Sequence, residues 1–237
     1  MQMPLWDHLG ELRKRMFKVF IAVGVLTGLS FFCSDWMLQC LLKPFPDASQ
    51  GLISLQPAGV FMESMRLALI SGFVLTLPLI LYQVWSFVSP GLKSFEAKAF
   101  LISLYAGTFL FLIGVGFAYF LVIPKALVFF WDYSRGLGIL PSWTIEHYLN
   151  FVLMFLLSFG LAFELPLVLV LMVRFNIVSV QWLSQKRAHV VIALAVIAAI
   201  LTPPDVMSQI MLLVPLWLLY EISLLVAKTL YGSSEMK

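Results

Sequence analysis

From Leu149 to Val173 the chain reads LNFVLMFLLSFGLAFELPLVLVLMV, twenty-five residues with a single ionisable side chain, Glu164. A helix of about 20 mostly apolar residues crosses the ~30 Å hydrocarbon layer of a bilayer. A surface helix of a soluble protein carries a charged face opposite its apolar stripe, and no such face can be drawn here. The stretch is a transmembrane helix, and the rest of the chain repeats the pattern on either side. Apolar runs occupy 16–38, 60–84 and 99–123 before it, and 188–201 and 210–227 after it. The expected fold is an all-α integral membrane protein with six transmembrane helices. A tail over 1–15 precedes the first span, structured loops join the spans on the outer side, and 1–237 forms a single six-helix transmembrane domain.

Composition agrees. Of 237 residues, 62% are apolar and 11% charged, against about 25% charged in an ordinary soluble domain. So few charges cannot coat a water-facing surface. Six spans leave only short links, and no separate soluble domain fits between them.

The basic residues set the orientation. Eleven lie in one set of links: Arg13, Lys14, Arg15 and Lys18; Lys93 and Lys98; Arg174, Lys186 and Arg187; Lys228 and Lys237. The opposite set holds Lys43, Lys125 and Arg135, while Arg66 falls inside the second run. Lysine and arginine accumulate on the cytoplasmic side, so both termini are expected in the cytoplasm. The same distribution explains the net charge of +3 without a nucleic-acid partner. The first apolar run is expected to stay in the membrane as an anchor, since it is longer than a cleavable leader's core.

The outer links, 39–59 and 124–148, carry Pro44, Pro46, Pro57, Pro124 and Pro141 beside Phe45, Phe129, Phe130, Trp131 and Trp143. They read as caps lying on the membrane surface, by aromatic anchoring or as partner-binding elements. Cys33 and Cys40 are seven residues apart. On one helix that separates their Cα atoms by about 10 Å, too far for a disulfide. The fifth run is short: fourteen residues reach about 21 Å, which calls for local thinning of the bilayer or burial in the bundle.

A charge within a span costs about 2.5–3.5 kcal/mol on insertion scales and usually marks function. Glu164 is the clearest case. Pro166 cannot donate to the carbonyl of Ala162, so the helix is expected to bend beside the acid. Either a concave, polar working surface or simple interhelical glue accounts for it. Glu63 and Arg66 are one turn apart and can pair. Asp205 or Ser208 can cap the sixth helix, and Gln209 enters the membrane in its first turn. Glu221 shares a face with Lys228 near the cytoplasmic end, and snorkelling or pairing explains it.

Catalytic patterns are missing from the sequence. Every aspartate falls outside the expected spans; His8, His147 and His189 are not at metal-ligand spacing, and no H-E-x-x-H or glycine-rich phosphate loop occurs. Neither an enzyme nor a cofactor or metal site is expected.

Five motifs in order then resemble the TatC family, the multi-span receptor subunit of the twin-arginine protein translocase. His8-Leu9-Gly10-Glu11-Leu12-Arg13-Lys14-Arg15 resembles that family's H-L-x-E-L-R-x-R. Phe87-Val88-Ser89-Pro90-Gly91-Leu92-Lys93-Ser94-Phe95-Glu96 resembles F-x-x-P-[AG]-L-x-x-x-E. Phe163-Glu164-Leu165-Pro166 resembles F-E-x-P, and the stretches 202–209 and 219–223 are similar as well. The resemblance implies a receptor for twin-arginine signal peptides of folded cargo, driven by the proton-motive force in a bacterial inner membrane. It implies signal contacts at Glu11, Glu96, Arg13, Phe87, Pro90 and Leu92. It also implies a polar groove from Glu164, Gln209, Asp205 and Glu221 for partner helices or the signal's apolar segment. The implied partners are single-span TatA- and TatB-type subunits, membrane lipid and further copies of the chain. Two other functions compete: a gradient-driven small-molecule transporter with Glu164 as its ion site, and a membrane scaffold. The first calls for inverted repeats, which the sequence does not show; the second calls for tolerance of Glu11→Ala and Glu96→Ala.

Overall fold

The structure, a computed structural model, describes residues 5–46, 51–88, 96–175 and 177–231, with side chains for 10–46, 51–83, 103–175 and 177–231. Among the described residues ten α-helices follow one another: α1 Leu5–Phe32, α2 Ser34–Leu42, α3 Gly59–Val88, α4 Glu96–Phe117, α5 Ile123–Gly136, α6 Ile145–Ala162, α7 Leu165–Arg174, α8 Val180–Gln185, α9 Arg187–Leu201 and α10 Val206–Tyr231. No strand forms among the described residues. Among the described residues five helical stretches are long and apolar enough to cross a membrane, Gly10–Phe32, Gly59–Gln83, Ser103–Gly136, Ile145–Arg174 and Val206–Tyr231, and Arg187–Leu201 is a shorter apolar helix. Large apolar side chains face outward, among them Phe20, Phe32, Phe120, Ile200 and Val206. Only lipid tolerates so much exposed hydrocarbon.

Two expected boundaries are corrected. The first span does not run to Leu38: it ends at Phe32, the chain turns at Cys33, and α2 starts afresh at Ser34. Its apolar residues concealed the break. Neither cysteine is in a disulfide. The link expected from residue 124 instead begins as helix. A π-helical turn over Ala118–Val122, with the N–H of Ile123 donating to the carbonyl of Ala118, leads into α5. Pro124 then sits in the first turn of α5, where its missing N–H is tolerated.

The chain divides into two compact units. The first comprises residues 1–43, 52–108 and 144–146. Its frame is α1 packed along α3, with α2 beside them. The backbones approach closely at Gly72, where a Cβ would lie 2.5 Å from the backbone nitrogen of Thr27. Small residues permit such approach in membranes, where packing rather than water exclusion holds helices together. A single parallel bridge joins Ile53 to Thr144, and the N–H of Ile145 donates to Ile53 at 3.0 Å.

The second unit comprises residues 44–51, 109–143 and 147–237. Here α7, α8 and α9 pack on α10, and the end of α4 meets α6. Gly114 lies against the backbone of Phe159, and Gly160 against the ring of Phe111. An aromatic cluster of Phe45, Trp131, Trp143 and Tyr148, with centroids 5.3–5.8 Å apart, caps one end.

Candidate functional site

In the first unit, the N-terminal turns of α1 carry Glu11, Arg13, Lys14 and Arg15. Arg13 and Lys14 are exposed, while Glu11 and Arg15 are half-buried. Four-residue spacing puts Glu11 and Arg15 on one helix face. Nε of Arg15 donates to Oε1 of Glu11 at 3.1 Å, and a second guanidinium nitrogen donates to the same oxygen. The third arm reaches α3, donating to Oε1 of Gln83 at 3.2 Å. Glu11 is therefore already a guanidinium acceptor, braced against the neighbouring helix. Neither Arg15 nor Gln83 stands out from composition, although the i,i+4 spacing could have pointed to Arg15. Arg13, Lys14, Phe17 and Lys18 line a shallow hollow beside this pair. Phe87 and Glu96 are described by backbone alone, as the last turn of α3 and the first residue of α4. Pro90 and Leu92 lie outside the described residues.

In the second unit, Glu164 occupies a break. α6 ends at Ala162 and α7 restarts at Leu165, with Pro166 in its first turn, as the missing donor of Pro166 predicts. The backbone of Glu164 is satisfied, its N–H by Leu161 at 3.1 Å and its carbonyl by Val168 at 3.0 Å. Its half-buried carboxyl makes no hydrogen bond to any described residue. A carboxyl inside an apolar segment without an internal partner is costly, and such groups usually mark a function.

Gln209, in the first turn of α10, donates from Nε2 to the carbonyl of Ala195 in α9 at 3.1 Å. It makes no hydrogen bond with Glu164 in the described structure. Its amide tethers the short helix instead. Ser158 of α6 adds a second tie, donating to the last α9 carbonyl, Leu201. Asp205 caps α10: its Oδ1 accepts the N–H of Ser208 at 2.6 Å. Glu221 lies four turns further along α10 and pairs with Arg187 at 3.0 Å, rather than with Lys228. The preceding residue, Tyr220, is fully buried and donates its hydroxyl to the carbonyl of Leu183 at 2.8 Å. The four residues thus divide among helix break, tether, cap and ion pair. Ser158, Tyr220 and Arg187 were not singled out from sequence, because a serine, a tyrosine or a loop arginine carries no spacing signal for a bond reaching 34 to 43 residues away.

Glu63 and Arg66 do approach, at 3.9 Å. No cluster of three or more potential metal ligands exists among the described residues.

Comparison with known proteins places this architecture. Residues 7–215 match the family model for Sec-independent protein translocase protein (TatC). The Sec-independent protein translocase protein TatC of Carboxydothermus hydrogenoformans is 37% identical over 227 residues, covering 95% of this chain and 93% of that protein. TatC of Escherichia coli is 36% identical over 236 residues, covering 98% and 91%. A crystal structure of the twin-arginine translocase receptor TatC in the detergent DDM superposes with a TM-score of 0.82 at 35% identity, over 93% of this chain and 99% of that one. Sequence, fold and extent agree over nearly the whole length: this chain belongs to the TatC family of Sec-independent protein translocase proteins.

Proposed function

We propose that the chain is the receptor for twin-arginine signal peptides within a translocase that exports folded proteins across a bacterial inner membrane. The observation that supports it is the Glu11–Arg15 pair. A carboxylate that holds one guanidinium against Gln83 has the chemistry to hold another. Guanidinium recognition uses a planar fork of donors that lysine lacks, which is how a receptor distinguishes paired arginines from paired lysines. In this reading an incoming arginine displaces Arg15 from Glu11, Glu96 takes the second arginine, and Arg13, Phe87, Pro90 and Leu92 shape the surface. Recognition takes place on the cytoplasmic side, with both termini there and α9 crossing as the fifth of six spans in a single transmembrane domain.

After recognition, single-span TatA- and TatB-type subunits and further copies of the chain assemble on the second unit. The carboxyl of Glu164 receives a polar group from a docking helix, and Gln209, Asp205 and Glu221 hold α9 and α10 in place for it. The proton-motive force drives passage. The family excludes a small-molecule transporter as the primary role. Export of a twin-arginine reporter in cells whose only TatC is this chain tests the proposal. Glu11→Ala and Glu96→Ala are expected to lower export at least tenfold at equal protein level; full export by both variants would point to a scaffold that does not read cargo.

A further inference from the structure

One cavity lies apart from every residue given a role in cargo recognition. It has a volume of about 370 Å³, and its walls are Leu127, Phe130, Trp143, Tyr148 and Phe151. Its polar lining is Tyr133, Ser134, His147 and Asp205. Three span ends converge on it. Tyr133 and Ser134 belong to the last turns of Ser103–Gly136, His147 to the first turn of Ile145–Arg174, and Asp205 immediately precedes Val206–Tyr231. Polar groups at the starts of two spans, His147 and Asp205, point the opening toward the head-group region. The walls are held in place: Phe45 packs edge-on against Trp143 and Tyr148 at 5.8 and 5.6 Å, and Trp131 against Trp143 at 5.3 Å.

Charge selects the occupant. The lining holds one carboxylate and no lysine or arginine. The helix cap uses only Oδ1 of Asp205, leaving that carboxylate an oxygen for another donor. Trp143, Tyr148 and Phe130 line the same space, and aromatic rings of this kind attract cations. Pre-formed apolar walls with a few polar groups at one end are the pattern of a small-molecule site. We propose that this cavity binds a phospholipid carrying a primary ammonium head group, with the ammonium at Asp205 and Trp143 and the glycerol–acyl region against Leu127, Phe130 and Phe151. A primary ammonium donates N–H bonds to a carboxylate, which a trimethylammonium cannot do, and an anionic head group would be repelled.

The test is native mass spectrometry of the full chain released from nanodiscs that contain equal amounts of phosphatidylethanolamine, phosphatidylcholine and phosphatidylglycerol. Retention of phosphatidylethanolamine about tenfold above the other two is expected, a magnitude in keeping with a partly desolvated cation–π contact. Asp205→Asn keeps a capping oxygen while removing the charge, and it should abolish the preference without changing the thermal midpoint. Trp143→Leu should weaken it severalfold. Equal retention of the three lipids would overturn the proposal, as would a preference that survives both substitutions. Saturable binding of a lysine-bearing peptide at Asp205 with no lipid preference would overturn it too, and would mark the cavity as a protein-docking site.

Discussion

At the residue scale, recognition rests on an exchange of guanidinium groups. In the structure Glu11 is occupied by Arg15, which also reaches Gln83 across to α3. An i,i+4 ion pair on a helix is typically worth only about 0.3–0.5 kcal/mol. Such a contact is strong enough to hold the carboxylate in position and weak enough to yield to a ligand bearing two arginines. Arg15→Gln is therefore expected to tighten binding of a twin-arginine peptide two- to fivefold by removing the internal competitor, as read by fluorescence anisotropy; weaker binding would mean that Arg15 positions Glu11 and does not compete with the ligand. The sequence pointed to Glu11 only through a family motif. Without that motif a helix-capping role is the simpler reading of Glu11, because nothing in a basic cluster says which base folds back onto the acid.

At the element scale, the breaks show what a sequence reveals. The interruption at Glu164 was legible because Pro166 removes a specific donor, that to Ala162, and α6 does end there. Pro124 misled because proline is equally at home in a first helical turn, and the π turn before it could not be foreseen from a uniformly apolar stretch. The turn at Cys33 carried no proline or glycine to mark it. The short helix α9 behaves as its length requires: Leu194 and Ala198 are buried while Ile192 and Ile200 face outward. One face of α9 is therefore exposed, and in the six-span reading proposed above its length of roughly 22 Å calls for local thinning of the bilayer. Contact between α4 and α6 depends on Gly114, where a Cβ would collide with the backbone of Phe159 and lie 2.9 Å from Cγ of Phe163. Gly114→Ala is expected to cost about 1–3 kcal/mol in denaturation of the detergent-solubilised protein. Gly116→Ala, two residues on and with open space around its Cα, should cost nothing or stabilise slightly. Equal effects of the two would remove close packing as the explanation.

At the scale of the whole molecule, the all-α membrane class was legible because a bilayer imposes length and polarity on every crossing segment. The division into two units was not legible, since it depends on which helix faces meet, and uniformly apolar helices hide their packing faces. Orientation rests on the eleven basic residues gathered on one side against three. Single cysteines introduced at each terminus are expected to react with a membrane-impermeant maleimide only after the cytoplasmic face is opened; labelling of either terminus in intact cells would break the topology proposed above.

The most direct test of the receptor reading is binding of a fluorescent twin-arginine signal peptide to the purified chain in nanodiscs, beside its twin-lysine version and against Glu11→Gln and Glu96→Gln. The account predicts at least tenfold preference for arginine in the unsubstituted chain, lost in both variants. Equal binding of the two peptides, unchanged by either substitution, would contradict it.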